Sequence, residues 1–149
     1  IDLIPVIKDT ANLFQDENIK IMVAHSVSNA IAEADQVQLR RLLINMVRNS
    51  IQADASLINI QIASDAEFYK IVISDNGKGI SENNKSKIFE ANFTTKEKGM
   101  GLGLKLAKRF LEGINGSIKL INTGGDGAEF EITIPKLKAK ENAGTGASS

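Results

Sequence analysis

Two neighbouring stretches limit what this chain can fold into more than any other feature. Residues 57–64 (LINIQIAS) and 68–74 (FYKIVIS) alternate apolar and polar side chains. A period of two is that of a strand with one buried and one wet face. Ile58, Ile60 and Ile62 lie on one face, and Ile71 and Ile73 on another. Only residues 65–67 separate the two stretches, so they are expected to pair through a tight turn. A sheet with one wet face needs a second layer on its other face, and helices supply it. The expected fold class is α/β: a two-layer sandwich of a mixed, largely antiparallel sheet with helices on one side.

The rest of the chain provides those helices. Leu3, Val6, Ile7, Thr10, Leu13 and Phe14 recur at spacings of three and four, which predicts a helix over 2–17. Pro5 falls in its first turn, where a missing N–H costs little. Residues 19–24 read as a strand, and a short strand is expected near 30–32. Asp35 opens the clearest helix, to about Ala53, and with Gln38 has the form of a capping box. Its buried stripe is expected to be Leu39, Leu42, Leu43, Met46, Val47 and Ile51. The opposite stripe is Gln38, Arg41, Asn45, Arg48, Asn49 and Gln52. Residues 81–89 read as a short helix or turn and 91–98 as a polar loop. A further helix ends near Gly113. Residues 117–122 and 128–134 form a last hairpin across Gly124, Gly125 and Gly127. Beyond Pro135 the chain turns polar and small, so the domain is expected over 1–137 with a disordered tail over 138–149.

Composition excludes several classes. The 149 residues suit one domain. Lys+Arg and Asp+Glu balance at 18 each, which argues against a nucleic-acid surface. The absence of Cys removes disulfides and thiolate metal sites. With one Tyr and no Trp, large aromatic platforms are not expected. No apolar run is long enough for a membrane span. The chain begins at Ile1 and reads as a piece of something longer, so the lack of a signal peptide is uninformative.

The segment 96–104, KEKGMGLGL, carries the first hint of chemistry. Gly99, Gly101 and Gly103 alternate and run into an apolar helical pattern of Leu104, Ala107, Phe110 and Leu111. Glycines allow close backbone approach. A helix start offers unpaired N–H groups and the positive end of a dipole. Together these suit an anion, most often a phosphate. A P-loop would need Gly-Lys-Ser/Thr, and a dinucleotide fingerprint a strand just before G-x-x-G; neither fits. The alternative is a flexible glycine loop joining two elements.

Four segments then occur in a telling order: NMVRNS within the helix at 35–53, DNGKGI at 75–80, IFEANFTTK at 88–96 and GMGLGL at 99–104. In them the chain resembles the ATP-binding catalytic domain of sensor histidine kinases, in the wider group with gyrase, Hsp90 and MutL. The resemblance covers nearly everything from Leu3 to Pro135. The wording TTK-x-x-G-x-G-L-G-L and NSIQAD is most similar to the nitrogen-regulation branch. It implies a Bergerat-type ATP-binding fold that takes Mg-ATP.

The resemblance assigns roles by position. Asp75 would accept from the exocyclic amino group of adenine, as an acceptor-only carboxylate can; the alternative is a plain Asx turn. Gly77 and Gly79 would let the chain pass under the base, with Ile80, Ile88 and Leu104 as apolar lining. Asn49 resembles the magnesium ligand, and Asn45, one turn earlier, would order phosphates or metal-bound waters. These two are the candidate catalytic residues. Phe93, Thr94, Thr95 and Lys96 would begin a lid whose hydroxyls and ammonium reach phosphates, the alternative being a flexible polar loop, and Gly99, Gly101, Leu102, Gly103 and Leu104 would form the glycine box. Lys98 and Lys105 read as surface charges. Gyrase-type ATPases typically have Glu where Asn45 stands. An amide cannot take a proton from water, so phosphoryl transfer is implied in place of efficient hydrolysis. Gln52, Ala53 and Ala128 depart from the basic, aromatic and Thr residues common at those positions.

His25, the single histidine, lies in AHSVSNA, which lacks the acidic residue and the Pro of a phosphoacceptor box. It reads as a surface or strand-edge residue. The acceptor is therefore expected on a dimerisation hairpin of the same sensor kinase outside this segment, with a response regulator downstream. No nucleic acid and no direct membrane contact are expected, and the segment is expected to be cytoplasmic. Two other functions are open: a same-fold serine/threonine kinase of the anti-sigma type, and a nucleotide-gated interaction module.

Overall fold

β3 sits at the centre of a five-stranded sheet, and its register explains the side-chain pattern of every neighbour. The computed structural model describes residues 1–15, 18–80, 88, 100–122 and 127–137. The elements are α1 (Leu3–Asn12), β1 (Lys20–His25), α2 (Gln36–Gln52), β2 (Leu57–Ser64), β3 (Phe68–Asp75), α3 (Met100–Gly113), β4 (Ser117–Asn122) and β5 (Glu129–Pro135). Strand order is β1-β2-β3-β5-β4. β1 runs parallel to β2, and the other pairs are antiparallel.

The hairpin register places Ile60 opposite Ile73 and Ile62 opposite Ile71. The two isoleucine sets thus share one face of the sheet. The row continues from Ile71 to Ile132 and on to Ile118. All of these side chains are buried, each contributing about 1.5–3 kcal/mol on leaving water. The helices cover this face. α2 packs against α1 and α3, α1 against β1, and α3 against β4.

Local chemistry fixes the helix ends. Asp2 caps α1, its Oδ1 accepting from Ile4 N–H at 3.2 Å, and also takes Ala30 N–H at 3.0 Å. α1 is shorter than its periodicity predicts. After Asn12 the chain tightens into turns, with Leu13 N–H donating to Thr10 O and Phe14 N–H to Ala11 O. These i→i+3 bonds are the tighter winding common at helix ends. They rotate Leu13 out to solvent and Phe14 in. The short strand expected near 30–32 is a single bridge, Asp2 to Ile31. Asp35 caps α2, its Oδ1 accepting from Val37 N–H at 2.8 Å and Gln38 N–H at 3.3 Å.

Two further corrections concern the helices. The buried stripe of α2 ends in Ser50, 4% exposed, while Ile51 is half-buried. Leu43, Met46, Val47 and Ser50 keep the three-and-four spacing, which a reading by polarity alone breaks. α3 starts at Met100, so Gly101 and Gly103 lie inside its first turn and not in a loop before it. The turn, loop and tail expected over 81–87, 89–99 and 138–149 lie outside the described residues. No described helix is long and apolar enough to cross a membrane.

Candidate functional site

The site is built on the end of β3. Asp75 is its last residue and is half-buried. Oδ1 accepts from Gly77 N–H at 2.9 Å and Ala128 N–H at 3.3 Å. Oδ2 accepts from the Ser50 hydroxyl at 2.7 Å. The first bond is an Asx turn, so that alternative holds locally. The other two bring in the start of β5 and the middle of α2. Asp75 N–H also donates to Ala128 O at 3.0 Å. This close approach requires Gly127, whose φ is +114°. A Cβ there would overlap the Asp75 carbonyl oxygen.

The neighbouring residues of DNGKGI have structural tasks. Asn76 Oδ1 accepts from Ser56 and Leu57 N–H at 2.9 and 3.0 Å, which pins the start of β2. Gly77 packs on the last turn of α2, where a Cβ would come within 2.6 Å of Ala53 O. Lys78 N–H donates to the same carbonyl at 2.8 Å. The glycine is therefore required by contact with α2, in addition to any closeness to a base. Gly79 adopts φ +82°, a conformation other residues rarely take. Ile80 is half-buried against the core.

α2 presents a graded polar stripe. Gln38, Arg41 and Arg48 are exposed, whereas Asn45, Asn49 and Gln52 are half-buried. Asn49 Nδ2 is shut off from solvent and has no hydrogen-bond partner among the described residues. A buried amide without a partner costs about 1–3 kcal/mol, so Asn49 is a candidate for a contact beyond the described residues. Among the described residues, no three His, Cys, Asp or Glu side chains gather as a metal nest. A hard cation beside Asn49 would need its remaining oxygens from a ligand and water, as magnesium commonly does.

The other expected site residues divide by position. Leu104 and Ile88 are fully buried in the core. Gly101, Leu102 and Gly103 belong to the first turn of α3, whose leading N–H groups have no helical partners. Lys105 is half-buried on α3. Thr94, Thr95, Lys96, Lys98 and Gly99 lie outside the described residues. A groove of about 490 Å³ between α2 and α3 is lined by Gln38, Arg41 and Asn45 on one side and Leu106, Arg109 and Phe110 on the other. It meets the candidate residues only at Asn45, so it adjoins the site without defining it. His25 closes the edge strand β1, exposed, its Nδ1 2.6 Å from Val27 O. The two residues sequence reasoning missed are Ser50 and Gly127. Nothing local marks either one, since each acts on Asp75 from a distant part of the chain.

Known proteins share this fold. A family described as histidine kinase-, DNA gyrase B-, and HSP90-like ATPase matches residues 34–138. The sensor histidine kinase ZraS of Escherichia coli (strain K12) is 31% identical over 141 residues, covering 91% of this chain and 30% of that protein. The nucleotide-free catalytic domain of histidine kinase ThkA superposes with a TM-score of 0.82 at 30% identity, over 91% of this chain and 93% of that one. Full-length ShkA in complex with AMPPNP superposes with a TM-score of 0.81 at 26% identity, over 93% of this chain and 31% of that one. The chain spans about a seventh to under a third of the length of the curated relatives it matches.

Proposed function

Because this chain belongs to the histidine kinase-, DNA gyrase B- and HSP90-like ATPase family and is a catalytic ATP-binding domain of the sensor-histidine-kinase type, we propose that it binds Mg-ATP between α2 and the 75–80 loop. It then delivers the γ-phosphoryl group to a histidine on a dimerisation hairpin of the same sensor kinase. The observation that carries this reading is the Asp75 carboxylate, held at the end of β3 against the helix that bears Asn45 and Asn49. A carboxylate with two oxygens has about four acceptor sites. Three are taken, and the one left on Oδ2 suits the amino group of adenine.

The phosphates extend along α2 toward the start of α3. The Asn49 amide, buried and unpartnered at Nδ2 among the described residues, fits this site: its oxygen would hold the magnesium ion. Bound magnesium would supply charge neutralisation for the phosphates. Asn45 orders the phosphates from one turn earlier on the same face. The first-turn N–H groups of α3, with Gly99, Gly101 and Gly103, hold the phosphate oxygens. Thr94, Thr95 and Lys96 add hydroxyl and ammonium donors. Gly79 brings the loop close to the base, and Ile80 and Leu104 line it.

The reaction follows from what α2 lacks. Asn45 cannot deprotonate water. A histidine imidazole is itself a nucleophile, so positioning and charge stabilisation suffice for the transfer. The imidazole nitrogen forms the new N–P bond, the γ-P–O bond breaks, ADP leaves and the ring proton passes to solvent. The hairpin and a response regulator are thus the partners, and the domain works in the cytoplasm where ATP is supplied. The sequence wording of 94–104 and 49–54 supports the nitrogen-regulation branch.

Labelled ATP supplied to the longer sensor kinase tests this. Label should appear on histidine as an acid-labile, alkali-stable phosphate. Label on serine or threonine, or rapid release of phosphate without any phosphoprotein, would overturn it.

A further inference from the structure

Ser50 is a buried polar side chain of α2 to which the nucleotide-site reading assigns no task. It is 4% exposed and continues the apolar stripe of Leu43, Met46 and Val47. A buried hydroxyl costs free energy unless it is bonded. A helical Ser or Thr commonly bonds back to the carbonyl four residues earlier. Thr10, the other buried polar residue among those described, does so, donating to Val6 O at 2.7 Å. Ser50 instead donates to Asp75 Oδ2, 25 residues along the chain.

We propose that Ser50 is a positioning residue for purine selection, its hydroxyl fixing the Asp75 carboxylate so that only lone pairs face the base. This rests on the nucleotide reading above. Gly77 N–H and Ala128 N–H fill Oδ1, and the Ser50 hydroxyl takes one position on Oδ2. Because an ionised carboxylate only accepts, the Ser50 hydrogen must point at Asp75. Neither group then has a donor left to offer. A 6-amino purine finds an acceptor there, whereas the 6-oxo group of another purine, itself an acceptor, finds no donor. Ala128 gives the carboxylate its main-chain N–H but no hydroxyl, so Ser50 is the only described hydroxyl bonded to Asp75. It also keeps Oδ2 from turning toward any other donor.

The test compares affinities for ATP, GTP and purine riboside triphosphate, which lacks the 6-amino group, in the parent domain and in Ser50→Ala. The variant should bind ATP about fivefold to tenfold more weakly, as expected for loss of a bond to a charged group that acts at one remove. Its affinity for purine riboside triphosphate should be unchanged, so the preference for ATP narrows. Ser50→Thr adds a methyl group and keeps the hydroxyl, and Ser50→Val has the shape of Thr with a second methyl in place of the hydroxyl. Thr should preserve the ATP preference and Val should lose it. Parental ATP affinity in Ser50→Ala, or equal weakening toward all three nucleotides, would overturn the role. Asp75→Asn separates the two levels. If it weakens ATP while Ser50→Ala does not, the Ser50 role alone fails. If neither variant changes ATP affinity, the nucleotide reading fails with it.

Discussion

Asp65 and Asp75 stand at opposite ends of β3 and use the same local device. Asp65 Oδ1 accepts from Glu67 and Phe68 N–H at 2.9 and 2.8 Å, both in its own turn, and Oδ2 lies 3.7 Å from Lys70 Nζ. It is exposed. The Glu67 N–H chiefly, then the Phe68 N–H, hold its carboxyl below the ordinary 3.8, with Lys70 adding a smaller pull. Asp75 makes one such turn bond, to Gly77, and draws its other partners from residues 25 and 53 positions away. One aspartate closes a hairpin; the other joins three segments at a half-buried corner. The difference teaches that an Asx turn at Asp75 leaves Oδ2 free for the proposed contact with the base, so the two readings are compatible. What separates the two aspartates is the sequence distance of their partners.

The largest expected contrast is in nucleotide affinity. Asp75→Asn removes a charged acceptor and forces an amide N–H₂ toward either the main-chain donors or Ser50. ATP binding should fall on the order of 10- to 150-fold, the loss of a bond to a charged group. Asp65→Asn should leave ATP binding at the parental value in the same titration. Equal losses in both would dissolve the distinction between the two ends.

Next comes the metal response. Asn49→Ala should cost about tenfold in ATP affinity when magnesium is present, the scale of one strong polar contact. It should change little in chelator, where that contact has no cation to serve. An identical magnesium response in variant and parent would remove Asn49 from the site.

A smaller effect on stability is expected at the corner itself. Gly77→Ala puts a methyl 2.6 Å from Ala53 O, and such overpacking costs about 1–3 kcal/mol. A denaturant melt should show it, while binding at low temperature persists. An unchanged midpoint would mean that α2 and the 75–80 loop are not packed as described.

The smallest effect is the acid response of Asp65. Its folded-state pKa is depressed, so the stability it contributes is complete above the unfolded value of 3.8 and is lost as pH falls through the folded value. Parent should exceed Asp65→Asn in stability at neutral pH, and the gap should close below about pH 4. A gap constant across that range would mean the charge contributes nothing at this turn.

Much of the architecture was legible because periodicity is local. The alternation over 57–74 and the stripe of α2 gave the layers and most of the core. Register was not legible: which face Ile71 shares with Ile62 depends on the Asp65 turn. Ser50 was missed because polarity assigned the stripe to Ile51, and only its bond to Asp75 makes burial tolerable. The start of α3 was set too late because glycine is a poor helix former, yet Gly101 and Gly103 are helical. Asp75, Asn45 and Asn49 are singled out as candidates by motif order alone. The approach of Gly127 to Asp75 depends on pairing across 53 positions, which no window along the chain contains.

Calorimetric titration of the folded domain with ATP in magnesium buffer tests the central claim most directly. The account predicts saturable heat with one nucleotide per domain, sharply weakened by Asp75→Asn. No heat with ATP, and none with a non-hydrolysable analogue, would contradict it.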